Sequence, residues 1–536
     1  MTTTTRTDAA SPDEVGGGRS LRNRIGRVAV ASAFALVFGE VLTLVQTIAL
    51  ARLLSPAEVG IFVSGTVITS FLGEFVEGGL RAGLVQRGGD IRDAAETVFW
   101  ATLGGGVLMS LGALAAAPVV GLVFDNSTAA VIAAVTSGTL LIFSVTNVPE
   151  SMLQRAFSVK RRLIVGPSVA IAYAVVAVSL AALGFGVWSL VIGMYASFVA
   201  WAVSIWAITD WRPGRGTASI ALWRELARYG LPLVLGGIGA RVQNAMETVV
   251  VGRGLTQFAL GNFRYGQRIS QMPVRAIIEI GAVSLFPAFS QMADDRDRMK
   301  AAYLRALRWV TVGAAALSGL MIALGTPAVT VVFGEPWHAA GVAVSLMAGL
   351  GVGKALISVG EEVIKACDRT PLLNWYTAVE VLLGVGALVV LVSEFRLQGA
   401  ALSLSVTAIV VGIVVTGLAI PLVGVRWTEV GRAVLPPLPA AGAAAAVAWV
   451  LDRHVLSSAD RALVPAVLCL MAAGVAFGVV YLVALAVCAP SSARSLLRVV
   501  VGVSRRLLGR GTSRSDDDDA RATSVVVDGD GGAPRG

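Results

Sequence analysis

Five polar residues recur along one apolar stretch of the chain: Arg264, Arg268, Gln271, Arg275 and Glu279, at steps of 4, 3, 4 and 4. Those steps keep all five on one face of an α-helix. Three guanidinium groups on one stripe can grip phosphate-type oxygens through paired N–H donors, which a lysine's point charge reproduces poorly. Just upstream, Arg241, Asn244, Glu247 and Thr248 share one side of a second helical stretch. Arg241 joins the anion-binding set, while Asn244, Tyr265 and Gln271 suit sugar hydroxyls and ring faces. Glu247 and Glu279 compete as partners for the arginines. Glu40, Glu74, Glu77, Lys354 and Glu361 are further ionisable positions in apolar surroundings, read as coupling groups or structural ion pairs. For Glu361 and Lys365, four residues apart, the structural ion pair is the favoured reading.

These residues need apolar elements to hold them, and the chain is made of little else. Of its 536 residues, 56% are apolar and only 14% charged. Soluble domains run near ~25% charged, so the composition points to a polytopic membrane protein and excludes a soluble enzyme, a disulfide scaffold and a nucleic-acid-binding domain. A bilayer core takes roughly 20 helical residues. Fourteen such runs are expected, at 28–50, 59–80, 94–123, 129–149, 163–183, 187–209, 229–251, 258–289, 309–333, 339–364, 371–392, 398–421, 433–451 and 462–488. The run from Val28 lacks a small-residue cleavage site and reads as a retained helix. No alternating pattern of a β-barrel competes with this reading.

The net charge of +9 lies mostly between the runs. Alternate connections are basic: Arg81 to Arg92, Arg155 to Arg162, Arg212 to Arg228, Arg296 to Arg308, Lys365 to Arg369 and Arg426 to Arg432. The intervening set holds only Arg52, Arg253, Arg396, Arg453 and Arg461. Positive charge stays on the cytosolic side, so both termini are expected there, as an even helix count requires. The ends, 1–27 and 489–536, are polar, Gly-rich or charged and read as disordered cytosolic tails.

An internal repeat organises the spans. At an offset of 201, Arg52, Leu54, Gly60 and Phe62 fall on Arg253, Leu255, Gly261 and Phe263. A second echo at 210 brings Ala156 onto Ala366 and Phe185 onto Phe395. An offset of an even number of helices keeps orientation, so the repeat is parallel. The expected fold is all-α: an N-lobe of six helices (28–209), a cytosolic linker (210–228), a C-lobe of six (229–421) and two added helices (422–488). The polar faces then meet in a cleft between the lobes.

Other motifs fail. Gly353-Lys354 has Ala348 and Ala355 where a phosphate-binding loop needs Gly and Ser or Thr. His338 and His454 are far apart and Cys367, Cys469 and Cys488 share no ligand spacing, so neither metal, catalytic triad nor cofactor is expected.

Several segments together resemble the bacterial polysaccharide flippases of the MOP exporter superfamily. They are Ala51-Arg52-Leu53-Leu54-Ser55-Pro56-Ala57-Glu58-Val59-Gly60, then Gly79-Leu80-Arg81-Ala82-Gly83 and Thr97-Val98-Phe99-Trp100. Tyr229-Gly230-Leu231-Pro232-Leu233 and Phe286-Pro287-Ala288-Phe289-Ser290 complete the set. The likeness covers roughly 25–490. It implies a non-enzymatic flippase in the bacterial plasma membrane. By alternating access, such a protein moves a polyprenyl-diphosphate-linked oligosaccharide from the inner to the outer leaflet for exopolysaccharide or cell-surface glycan export. The bilayer and a polysaccharide polymerase with its export machinery are the implied partners; nucleic acid is not one. A lipid II flippase, a multidrug or cation antiporter and a non-transporting component of a glycan assembly complex are the alternatives. The excess of arginine in the cleft opposes cationic drugs, because like charges repel.

Overall fold

Residues 39–77, 79–156, 161–292 and 295–490 are described by a computed structural model of the chain. The expected tails before 28 and beyond 490, the first part of the opening span and Lys160 lie outside the described residues. Helix α1 (39–53) turns at Leu54–Ser55 into α2 (Pro56–Glu77). Ser55 N donates to Glu58 Oε2 (2.8 Å) and Glu58 N donates to Ser55 Oγ (3.3 Å), a reciprocal cap that satisfies two backbone donors at the start of α2. A short α3 (Leu80–Gln86) precedes α4 (Arg92–Phe124). Asn126 caps α5 (Ser127–Thr136) by accepting from Ala129 N at 2.9 Å, and α5 continues into α6 (Thr139–Arg155). Helices α7 (Gly166–Ala182) and α8 (Val187–Ile208) follow.

The later part begins with α9 (Ile220–Gly254) and α10 (Gln257–Gln291), each of 35 residues, and α11 (Arg296–Phe333). A pair bent by 43°, α12 (His338–Leu346) and α13 (Gly349–Ala366), leads into α14 (Pro371–Val423). One residue of α14, Arg396 (φ 53°), has non-helical backbone and kinks its 53 residues where 371–392 and 398–421 were expected as separate spans. The chain closes with α15 (Trp427–Val434), α16 (Pro437–Leu451) and α17 (Leu463–Cys488).

Among the described residues there is no strand, and nine stretches are long and apolar enough to cross a membrane, ten if the bent pair forms one span. The protein is a multi-pass helical membrane protein. Helices α9 and α10 are not among those nine, since the polar residues from Arg241 to Thr248 and from Arg264 to Glu279 interrupt their apolarity.

The repeat is visible in local geometry. Thr256 accepts from Ala259 N (3.0 Å) to cap α10 at the positions that Ser55 and Glu58 occupy on α2. There the two helices cross backbone to backbone. A Cβ on Gly60 would lie 1.9 Å from Gln257 O, and one on Gly261 would lie 1.8 Å from Pro56 O. The offset of 201 carries Pro56 onto Gln257 and Gly60 onto Gly261, so it exchanges the two halves of this contact. Only glycine permits that approach. The added helices dock elsewhere: Ala440, Ala444 and Ala448 of α16 pack with Ala473 and Phe477 of α17 and Val312 and Ala315 of α11. Small side chains let these backbones come close, and Tyr481 satisfies its hydroxyl on Val312 O at 2.8 Å.

Candidate functional site

Helices α9 and α10 run side by side from the turn at Leu255–Thr256, and their polar faces meet one another. Arg264 is the tie. It donates through Nη1 to Glu247 Oε2 (3.1 Å) and Gln267 Oε1 (2.6 Å), and through Nη2 to Asn244 O (2.8 Å) and to Thr248 Oγ1. Gln267 Nε2 donates to the same Glu247 oxygen at 3.0 Å, and Gln243 Nε2 to the other at 3.4 Å. The Arg264 and Glu247 side chains are 14% and 7% exposed, so each is the main compensation for the other's charge. The sequence places Arg264 in the anion stripe; the structure spends both of its Nη groups on α9.

Arg268 and Arg275 differ. Both are exposed on α10, and both line a cavity of about 720 Å³ with Glu40 and Thr43 of α1 and with Gln267 and Gln271. Arg275 Nη2 reaches Gln271 Oε1 at 3.4 Å, and among the described residues no carboxylate stands within 4.0 Å of either guanidinium. Two cations on one wall, with Glu40 the carboxylate of the cavity but beyond 4.0 Å of either guanidinium, suit an anionic ligand.

Gln267 and Gln271 are also walls of a neighbouring cavity of about 250 Å³, with Gln243, Asn244, Glu247, Thr377 and Thr407. Across it, Lys354 Nζ meets Glu380 Oε1 at 2.7 Å, joining α13 to α14. Amides and hydroxyls with a neutralised charge pair make this the better match to sugar hydroxyls. The two cavities therefore place an arginine-bearing wall beside one of amides and hydroxyls.

Other expected positions lie elsewhere. Tyr265 is a correction: it is 6% exposed, stacks on Trp337 (4.3 Å between ring centroids) and meets Phe333 edge-on, in the apolar cluster between α10 and α11. Its ring is taken up by core packing because it points about 100° around α10 from Arg264, towards Phe333 and Trp337. Arg241 is exposed on α9 and belongs to neither cavity wall. Glu361 and Glu362 lie 3.5 and 2.9 Å from Lys365 Nζ near the end of α13, and Tyr376 donates to Glu361. The side chains of Glu74, Glu77 and Glu279 are outside the described ones. Sequence reasoning missed Gln267 and Glu380. Both left a signal: Gln267 stands three residues from Arg264, and Glu380 is the sole acid between 371 and 392.

Comparison with known proteins follows the same line. The profile of the family described as polysaccharide biosynthesis protein matches residues 49–341. The succinoglycan biosynthesis transport protein ExoT of Rhizobium meliloti (strain 1021) is 26% identical over 341 residues, 63% of this chain and 68% of that protein. The lipopolysaccharide biosynthesis protein WzxC of Escherichia coli (strain K12) is 23% identical over 354 residues, 64% and 70% of the two chains. Among solved structures, lipid II flippase MurJ in an inward closed conformation superposes with a TM-score of 0.68 at 14% identity, over 85% of this chain and 98% of that one. An inward-facing multidrug resistance MATE family transporter of the MOP superfamily gives 0.60 at 16% identity, over 72% and 94%. The fold is that of the MOP transporters.

Proposed function

This chain belongs to the polysaccharide biosynthesis protein family, and from that premise we propose that it flips a polyprenyl-diphosphate-linked oligosaccharide from the inner to the outer leaflet of a bacterial plasma membrane. The relatives named for succinoglycan transport and lipopolysaccharide biosynthesis support glycan export as the setting. The observation that carries the reading is the pair Arg268 and Arg275 on one wall of a 720 Å³ cavity, with no carboxylate within 4.0 Å of either guanidinium among the described residues. A diphosphate supplies about two charges and several acceptor oxygens, which suits two forked donors. In the proposed topology fourteen spans cross the membrane, both termini are cytosolic, and the halves 28–209 and 229–421 act as lobes around the cleft.

Both arginines are exposed, and among the described residues neither has a carboxylate within 4.0 Å, so replacing them tests binding with abundance as the control for folding. Arg268→Ala combined with Arg275→Ala is expected to cut flipping at least tenfold at unchanged protein abundance, since a hydrogen bond to a charged group is worth ~1.5–3 kcal/mol. Arg268→Lys keeps part of the activity because the charge remains and the fork does not. Leaflet sidedness of the lipid-linked glycan is the measurement. Normal sidedness in the well-expressed double variant ends the proposal.

A further inference from the structure

Glu40 and Thr43 face two cavities. One is the arginine-lined cavity, and the other is a larger, open one of about 860 Å³ bordered by α1, α6, α7 and α8. The second cavity has a different chemistry. Phe143, Val165, Pro167, Val169, Phe198 and Trp201 give it a large apolar wall, with the rings of Phe143 and Trp201 5.5 Å apart. Its charged members are Glu40, on the edge shared with the arginine-lined cavity, and Glu150 with Arg161, bound to each other through both Nε and Nη2 of the arginine, with Arg81 Nη2 also 3.5 Å from Glu150. One helix edge thus separates an apolar chamber from a cationic one. That juxtaposition matches the two ends of a single anionic amphiphile.

Accordingly, we infer that the chamber between α1, α6, α7 and α8 holds the apolar chain of the lipid-linked substrate while its diphosphate rests on Arg268 and Arg275, the molecule crossing α1 beside Glu40 and Thr43. The inference rests on the flippase reading above and adds where the tail goes. Burial of a long hydrocarbon chain in a protein chamber gains little over bilayer, since lipid tails are equally apolar. Its effect is positional: it holds the head at the arginines and lets the chain travel with the head during reorientation.

The test uses the full chain in lipid vesicles with two substrates of identical headgroup, one on a long polyprenyl tail and one on a two-isoprene tail. Ala170→Trp and Ser197→Trp place rings inside the chamber. Each is expected to slow flipping of the long-tailed substrate about tenfold while leaving the short-tailed one within about twofold, the scale of a moderate overpacking effect. Equal slowing of both, or of neither, overturns the assignment. A measurement on the unmodified protein guards against misfolding: a polyprenyl diphosphate with a diazirine on its terminal isoprene should label peptides from 165–170 and 197–201. Labels confined to other helices also overturn it. If labelling persists there while Arg268→Ala with Arg275→Ala still flips normally, the diphosphate reading fails and the tail chamber stands.

Discussion

Arg264 and Arg268 sit one turn apart on the same helix face, yet their neighbours give them different tasks. Arg264 Nη atoms are engaged by Glu247, Gln267, Asn244 and Thr248, so truncating it strands a carboxylate that is 7% exposed. Breaking a buried pair by removing one partner costs ~3–5 kcal/mol. Arg264→Ala is therefore expected to lower the thermal unfolding temperature of the purified protein and its membrane abundance, and Glu247→Gln in the same chain should recover much of the loss. Unchanged unfolding in the single variant would show that the pair is dispensable. The shared face of these arginines was legible in the spacing alone. Which of them would be neutralised was not, because that depends on α9 setting Asn244 to Thr248 against Arg264 rather than against Arg268. Tyr265 failed for a related reason: a ring next to an arginine in sequence points about 100° away around the helix, here into Trp337.

At the scale of elements, the contact between α2 and α10 is the one whose sequence signature carried most. Gly60 and Gly261 appeared as repeat partners before anything placed them in space, and the structure makes them the crossing point of the two helices. Helix kinds and their order were readable because hydrophobic runs of bilayer length are long and strongly patterned. The break at Arg396 was legible because Ser393 to Gln398 interrupts the apolar runs, whereas the bend between α12 and α13 left a weaker trace, since it lies inside one apolar stretch. A methyl group on Gly60 meets the Gln257 carbonyl at 1.9 Å, and backbone cannot yield as a side chain can. Gly60→Ala and Gly261→Ala should each force this end of the helix pair open. In a cysteine-free background, Ser64→Cys should then react at least tenfold faster with a membrane-impermeant thiol reagent, a population shift of ~1.4 kcal/mol. Gly104→Ala, with nothing within 4 Å of the added carbon, serves as the neutral comparison. Equal reactivity in all variants would mean the crossing does not govern access.

For the whole molecule, two close glycine contacts stand near the opposite ends of α2. One is the Gly60–Gly261 crossing with α10. The other is Gly79 (φ 67°) against α9, where an added Cβ would stand 2.2 Å from Gly230 O. Both contacts join an early helix to a late one, so each brings the two proposed repeats together backbone to backbone. Transport by alternating access requires that these contacts separate in turn, and that neither be permanent. The first can be tested directly because Ser64 Oγ donates to Gln257 Oε1 at 2.7 Å beside it. Cysteines at Ser64 and Gln257 are close enough to couple α2 to α10 by oxidation or a short bifunctional reagent. Coupling should abolish flipping, reduction should restore it, and each single-cysteine protein should flip normally. The loss would reach the level of the empty vesicle, since a covalent tie removes the open state instead of merely disfavouring it. Full transport by completely crosslinked protein would show that the substrate passes without opening this end, and the rocking of one repeat against the other would have to be abandoned there.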